Sequence, residues 1–107
     1  MNNKLTFEAV QGYLNQQVDK RPEEMIIMED YASETNFPII GPVAGNFCYQ
    51  IARMIRATSV FEMGSGYGYS TAWFARAVQE NGGGVVHHVV WDVDLSNKAR
   101  LHLERLG

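Results

Sequence analysis

The sequence predicts an α/β fold: helices first, then the opening βαβα part of a parallel sheet that 107 residues leave incomplete. Three observations lead there. Apolar residues recur at helical spacing through the first half; short runs suited to strands occupy residues 59–63 and 85–93; helical spacing resumes directly after each run. Strands that alternate with helices pair parallel through right-handed crossovers, so the order α-α-α-β-α-β-α implies an open sheet with helices on its faces. The chain reads as one domain, 1–107, with an N-terminal helical segment, 1–58, and a βαβα portion, 59–107.

Each element has its own signal. From Thr6 to Lys20 the residues Phe7, Val10, Leu14 and Val18 mark one helical face, and Thr6 stands at the N-cap position. Pro22 restarts the pattern, with Glu23 and Glu24 suited to the positive end of a second helix that runs to about Thr35. Residues 36–42 hold Pro38, Gly41 and Pro42 and read as a short extended crossing. Ala44, Phe47, Cys48, Ile51, Ala52 and Ile55 then form the clearest helical stripe, ending at Arg56-Ala57-Thr58. Ser59 to Met63 is a strand that stops at a glycine cluster, and Thr71, Phe74, Ala75 and Val78 open the next helix. Asn81-Gly82-Gly83-Gly84 is a loop, Val85 to Val93 a β-rich run, and Ala99, Leu103 and Leu106 mark a last helix after an Asp94 or Ser96 cap.

Composition narrows the function. The chain is 46% hydrophobic and 20% charged, enough for one modest core. Its net charge of −3, with no Lys/Arg run, argues against nucleic acid as a partner. Residues 1–40 carry seven acids and three bases, an asymmetry that a solvated helical face explains. Cys48 is the single cysteine, so no intrachain disulfide or cysteine-based zinc site is expected; it reads as a small core residue in a reducing compartment. No apolar run approaches the roughly 20 residues of a membrane span, and Met1-Asn2-Asn3-Lys4 does not open a signal segment, so the expected location is the cytoplasm.

Chemistry concentrates where the first strand ends. A strand that runs into Gly64, Gly66 and Gly68 and then opens a helix offers backbone N–H groups and a positive dipole end, with no Cβ in a ligand's way. Dinucleotide sites use G-x-G-x-x-G with an acid about 20 residues on. Here the pattern is G-x-G-x-G, Glu62 precedes the first glycine by two residues, and the next acid near a second strand is Asp92. These departures point away from NAD and a nicotinamide oxidoreductase.

Residues 60–70, Val-Phe-Glu-Met-Gly-Ser-Gly-Tyr-Gly-Tyr-Ser, resemble the first motif of class I S-adenosylmethionine (SAM)-dependent methyltransferases. The Gly-Tyr-Ser ending is similar to that of small-molecule O-methyltransferases of the catechol and caffeoyl-coenzyme A type. Residues 37–45, Phe-Pro-Ile-Ile-Gly-Pro-Val-Ala-Gly, are similar to the segment by which bacterial members cover the cofactor. The resemblance spans about Glu29 to Gly107 and implies a Rossmann-like parallel sheet binding SAM at Glu62, Gly64, Ser65, Gly66, Tyr67, Gly68 and Ser70, with Asp92 or Asp94 as the ribose acid. Glu62 would hold the methionine ammonium and Ser70 would meet its carboxylate at a helix start. Asp92 is preferred for the ribose and Asp94 as a helix cap, although counting back from Ala99-Arg100 puts Val90 at the expected place.

Plainer readings stand beside these. The glycines could make only a tight turn, but three of them after a carboxylate exceed what a turn needs. Glu62 could be an exposed strand residue, against which its apolar neighbours argue. His87 and His88, adjacent on a strand, face opposite ways and cannot share a metal; one is expected inward and one outward. His102 is expected in solvent. Trp73, Phe74 and Trp91 are expected in the core or an interface, and Met25, Met28 and Tyr31 in helix packing.

A doubly wound sheet needs strands on both sides of the first, and two are found here. The expectation is therefore the N-terminal, cofactor-binding portion of a SAM-dependent O-methyltransferase that acts on a small-molecule hydroxyl. By the same resemblance, any divalent-metal ligands and the base near the acceptor belong to segments absent from these residues. A non-catalytic SAM-binding or oligomerisation module is the alternative. No catalytic residue is assigned, no membrane partner is expected, and the unpaired strand edge favours a homo-oligomer.

Overall fold

The computed structural model describes residues 6–18, 20–64 and 66–107. The expected element order is observed among them. α1, Phe7–Gln17, starts where Thr6 Oγ1 accepts from the Ala9 N–H at 3.0 Å. It ends three residues before Lys20, and its apolar stripe is not buried: Phe7 is 81% exposed. Val18, just past the helix, is the part of this segment that packs on the core.

α2, Glu23–Thr35, starts one residue after the expected Pro22, which stands at its N-cap, and buries Met25, Met28 and Ala32. Asn36 terminates it in the left-handed conformation, with its N–H bonded to the Ala32 carbonyl. α3, Gly41–Met54, begins inside the segment expected to be extended and stops short of Arg56. Pro42 sits in the first turn, where a missing N–H costs no helical bond.

The predicted stripe of α3 is corrected. Its buried residues are Gly45 and Ala52, whereas Phe47, Ile51 and Ile55 are exposed. The rotation is set at Gly45, where a Cβ would overlap the Trp73 indole of the facing helix. Cys48 is half-buried rather than fully in the core; burial, and secondarily the charge of Glu62, push its thiol pKa up.

β1, Ser59–Met63, and β2, Val85–Val89, pair parallel with Ser59 opposite Val85 and Glu62 opposite His88. Between them lies α4, Tyr69–Glu80, and after them α5, Val93–Leu106. β2 stops four residues before the expected Val93 because the chain turns out of the sheet to cap α5. That cap is Asp92, not Asp94 or Ser96: Asp92 Oδ1 accepts from the Leu95 N–H at 3.1 Å.

The strands alternate as a half-covered sheet should. Val60, Glu62, Val86 and His88 are sheltered, while Phe61, Met63, Val85, His87 and Val89 are exposed. One histidine thus faces inward and one outward, as expected. Among the described residues the sheet has two strands, an incomplete α/β Rossmann-like fold.

The core lies beside the glycine turn, joining Met25, Met28 and Ala32 of α2 to Tyr67, Tyr69, Ala72 and Trp73. The expected packing roles of Met25, Met28, Tyr31 and Trp73 hold, and Phe74 is half-buried. Trp91 is fully exposed and so is not a core residue of this chain. His102 is corrected too: its Nδ1 lies 2.5 Å from Glu24 Oε1, with only 12% of its side chain exposed, so α5 is tied to α2 through a sheltered pair. No described helix is long and apolar enough to cross a membrane.

Candidate functional site

The turn between β1 and α4 is anchored at both ends. Its first residue, Gly64, donates its N–H to the Val89 carbonyl at the end of β2, 3.0 Å away. Its last, Gly68, takes φ +97° as the residue before α4, and a Cβ there would stand 3.1 Å from the Ala99 Cβ of α5. Gly68 therefore lets α5 close against the turn. Gly64 differs: it has φ +73°, and a Cβ would meet no atom within 4 Å.

Gly64 lines a cleft of about 570 Å³ beyond the strand ends. Phe37, Pro38, Ile39 and Ile40 form one wall, Gly64, Gly66, Tyr67, Tyr69 and Ser70 the floor, and Val90, Trp91, Asp92 and Leu95 the far side. A larger groove of about 710 Å³ runs along α4 and the end of α5, past Gly84 and Val86, and contains none of the glycine-turn residues.

Of the expected site residues, Gly64, Gly66, Tyr67, Ser70 and Asp92 line the cleft, whereas Glu62, Gly68 and Asp94 do not. Ser65 lies outside the described residues. Tyr67 reaches the cleft only marginally: it is 1% exposed, its hydroxyl donates to the Met28 carbonyl at 2.7 Å, and it packs against Tyr31 and Phe37. Burial pushes its phenol pKa up to about 12, with the nearby Tyr31 and Glu29 adding to the effect. Tyr69 has a similar structural tie. Its hydroxyl donates to Glu29, whose carboxylate also takes two N–H bonds from Arg21, at 2.6 and 2.9 Å. Its phenol pKa is raised, first by burial and then by that bond.

Glu62 is the electrostatic centre. Half-buried on the sheltered face of β1, it accepts from Ser70 Oγ and Thr71 Oγ1, each at 2.5 Å. Two hydroxyls from the first turn of α4 thus hold a carboxylate behind the cleft floor, with Ser70 as the link between them. The Ser70 hydroxyl proton is engaged by Glu62. The helix start still presents its backbone.

Sequence reasoning missed Thr71 and His88, whose Nδ1 lies 2.9 Å from Thr71 Oγ1. The signal was the strand alternation that turns Glu62 and His88 to one face, but their adjacency depends on the parallel register. It also missed Trp91 and Leu95 as cleft residues.

The sequence pattern of the protein-L-isoaspartate(D-aspartate) O-methyltransferase family matches residues 14–107. The chain belongs to this family. Among its relatives, the catechol O-methyltransferase of Niastella koreensis is 32% identical over 84 residues, which are 77% of this chain and 38% of that protein. A methyltransferase from Geobacter sulfurreducens superposes with a TM-score of 0.80 at 28% identity, covering 95% of this chain and 53% of that one. An O-methyltransferase from Bacillus cereus, solved in complex with SAH, gives 0.79 at 25% identity over 91% of this chain and 44% of that one. The chain thus spans about half the length, or less, of these relatives. This O-methyltransferase family accounts for the strand, glycine turn and helix found here, and agrees with the resemblance carried by residues 60–70.

Proposed function

We propose that this chain is the cofactor-binding portion of a SAM-dependent O-methyltransferase whose acceptor is a small-molecule hydroxyl. The observation that carries the proposal is the cleft floor: an open glycine at Gly64, the start of α4, and the Glu62 carboxylate held just behind by Ser70. A ligand with an amino-acid end needs an anion for its ammonium and a helix start for its carboxylate, and both meet here. The Bacillus cereus relative, solved in complex with SAH, supports the same ligand.

When bound, SAM would supply an electrophilic methyl group on a sulfonium, which an oxygen nucleophile would take in line as the thioether leaves. The protein's task is then orientation. Glu62 draws the ammonium toward the end of β1, the backbone at Gly64 and Gly66 lets the ligand lie close, and the α4 start faces the carboxylate. Asp92, which lines the cleft, is the acid we place at the ribose hydroxyls; Asp94 does not line it. Phe37 to Ile40 cover the bound molecule and limit water.

Among the described residues no group of three His, Cys, Asp or Glu side chains could hold a metal ion, and no role above uses one. The same reading includes a cytoplasmic location and a homo-oligomer, the latter supported by the exposed Phe61 and Met63 on a strand with one edge that no other described strand pairs.

Calorimetry with SAM, its demethylated product S-adenosylhomocysteine (SAH) and NAD tests the cofactor. Binding of SAM and SAH without NAD is expected; NAD binding with neither of the others overturns the reading. A second reading is a SAM-binding module without chemistry. Methyl transfer to a catechol, to an isoaspartyl peptide or to neither separates the readings and reports the acceptor class.

A further inference from the structure

Parallel register places Glu62 directly opposite His88, and both turn toward α4. Thr71, only 3% exposed, stands between them. Proton counting fixes the direction of the chain. An ionised carboxylate only accepts, so the single Thr71 hydroxyl proton goes to Glu62 Oε1. The Thr71 oxygen must then accept from His88, which requires the tautomer with the proton on Nδ1. His88 Nε2 is left as a buried acceptor with no partner among the described residues. An unpaired buried acceptor is a cost that valine, the residue at three of the five β2 positions, would avoid. Burial lowers the His88 pKa, an effect larger than the opposing pull of Glu62, and this keeps the ring neutral.

We propose that His88 is a positioning residue for the amino-acid end of the cofactor: by donating to Thr71 it points the Thr71 proton at Glu62 and fixes the carboxylate that receives the ammonium. Ser70 holds Oε2 and the Thr71–His88 pair holds Oε1, so the carboxylate is clamped at both oxygens. The inference rests on the reading that Glu62 receives the ammonium.

The test uses two ligands that share the nucleoside thioether: SAH, which carries the amino-acid end, and 5′-methylthioadenosine, which lacks it. In the full 107-residue chain, His88→Phe keeps a ring but no donor, and is expected to weaken SAH about 3–10-fold while leaving methylthioadenosine unchanged within about twofold. His88→Asn, whose side-chain N–H falls near the Nδ1 position, is expected to restore most of the SAH affinity. Equal loss for both ligands, or loss for neither, overturns the proposal in favour of a purely packing role. Failure of the unaltered protein to prefer SAH over methylthioadenosine would instead remove the Glu62 reading, and the inference with it. Nitrogen-15 NMR of the unaltered protein gives a readout independent of the variants' folding. A protonated Nδ1 with a bare Nε2 is expected, and the opposite tautomer overturns the assignment.

Discussion

Alanine at Gly68 and, separately, at Gly64 tests whether the two glycines do different things. Both backbones are left-handed, at φ +97° and +73°, which costs an L-residue about 1–2 kcal/mol. At Gly64 that is the whole expected loss, since a Cβ meets nothing within 4 Å. At Gly68 the new Cβ stands 3.1 Å from Ala99 Cβ and 3.3 Å from its Cα. Ala99 is 1% exposed on α5, so the helix must shift, adding an overpacking cost of about 1–3 kcal/mol. Urea unfolding should therefore show Gly64→Ala down about 1–2 kcal/mol and Gly68→Ala down about 2–5 kcal/mol. Ligand titration should give the reverse order. Gly64 lines the cleft, so its substitution should reduce SAH affinity more than tenfold on an order-of-magnitude basis, whereas Gly68 does not line it and should affect affinity far less. Equal stability losses, or stronger loss of binding at Gly68, would refute this division between a ligand-facing and a packing glycine.

Two further outcomes follow from the same geometry. Asp92→Ala removes the α5 cap and should lower stability by about 0.5–2 kcal/mol; if it also meets the ribose, SAH affinity falls by about 1–3 kcal/mol, while Asp94→Ala leaves affinity nearly unchanged. A denaturant melt paired with a titration of each variant checks both effects, and affinity lost at Asp94 instead would move the ribose site. Tyr67, with its phenol raised from 10 to about 12, keeps its proton in the fold after the unfolded chain has lost it. Its contribution is complete below pH 10 and is lost as the pH climbs toward 12, by about 1–3 kcal/mol in all. Alkaline unfolding followed by circular dichroism should show this slope, and Tyr67→Phe should flatten it; an unchanged slope in that variant would assign the loss to other groups.

How much was legible in the sequence depended on how local each signal was. β1 is readable to the residue because its apolar run is bounded by Thr58 and Gly64, and α2 to within one residue because Pro22 and Asn36 punctuate it. The β-rich run extends past the end of β2 because Val89, Val90 and Val93 share a propensity that does not register where the sheet ends. Asp92, Asp94 and Ser96 are all good capping types, so residue type alone does not choose the α5 cap; the reach of Asp92 Oδ1 to the Leu95 N–H decides it.

The sequence alone determined the element order, the parallel α/β class and the place of the glycine turn, because periodicity and glycine spacing are properties of neighbours along the chain. Only the tertiary structure decided which faces those elements present. The Trp73 indole against Gly45 set the rotation of α3, and Glu24 reached across 78 positions to draw His102 out of solvent. It also decided how the site is wired. Glu62 was legible as a carboxylate before a glycine turn, but its hold by Ser70 and Thr71, and the link onward to His88, exist only because α4 folds back over two strands in one parallel register. Hydrogen-bond partners are chosen by packing in three dimensions, which spacing in one dimension does not encode.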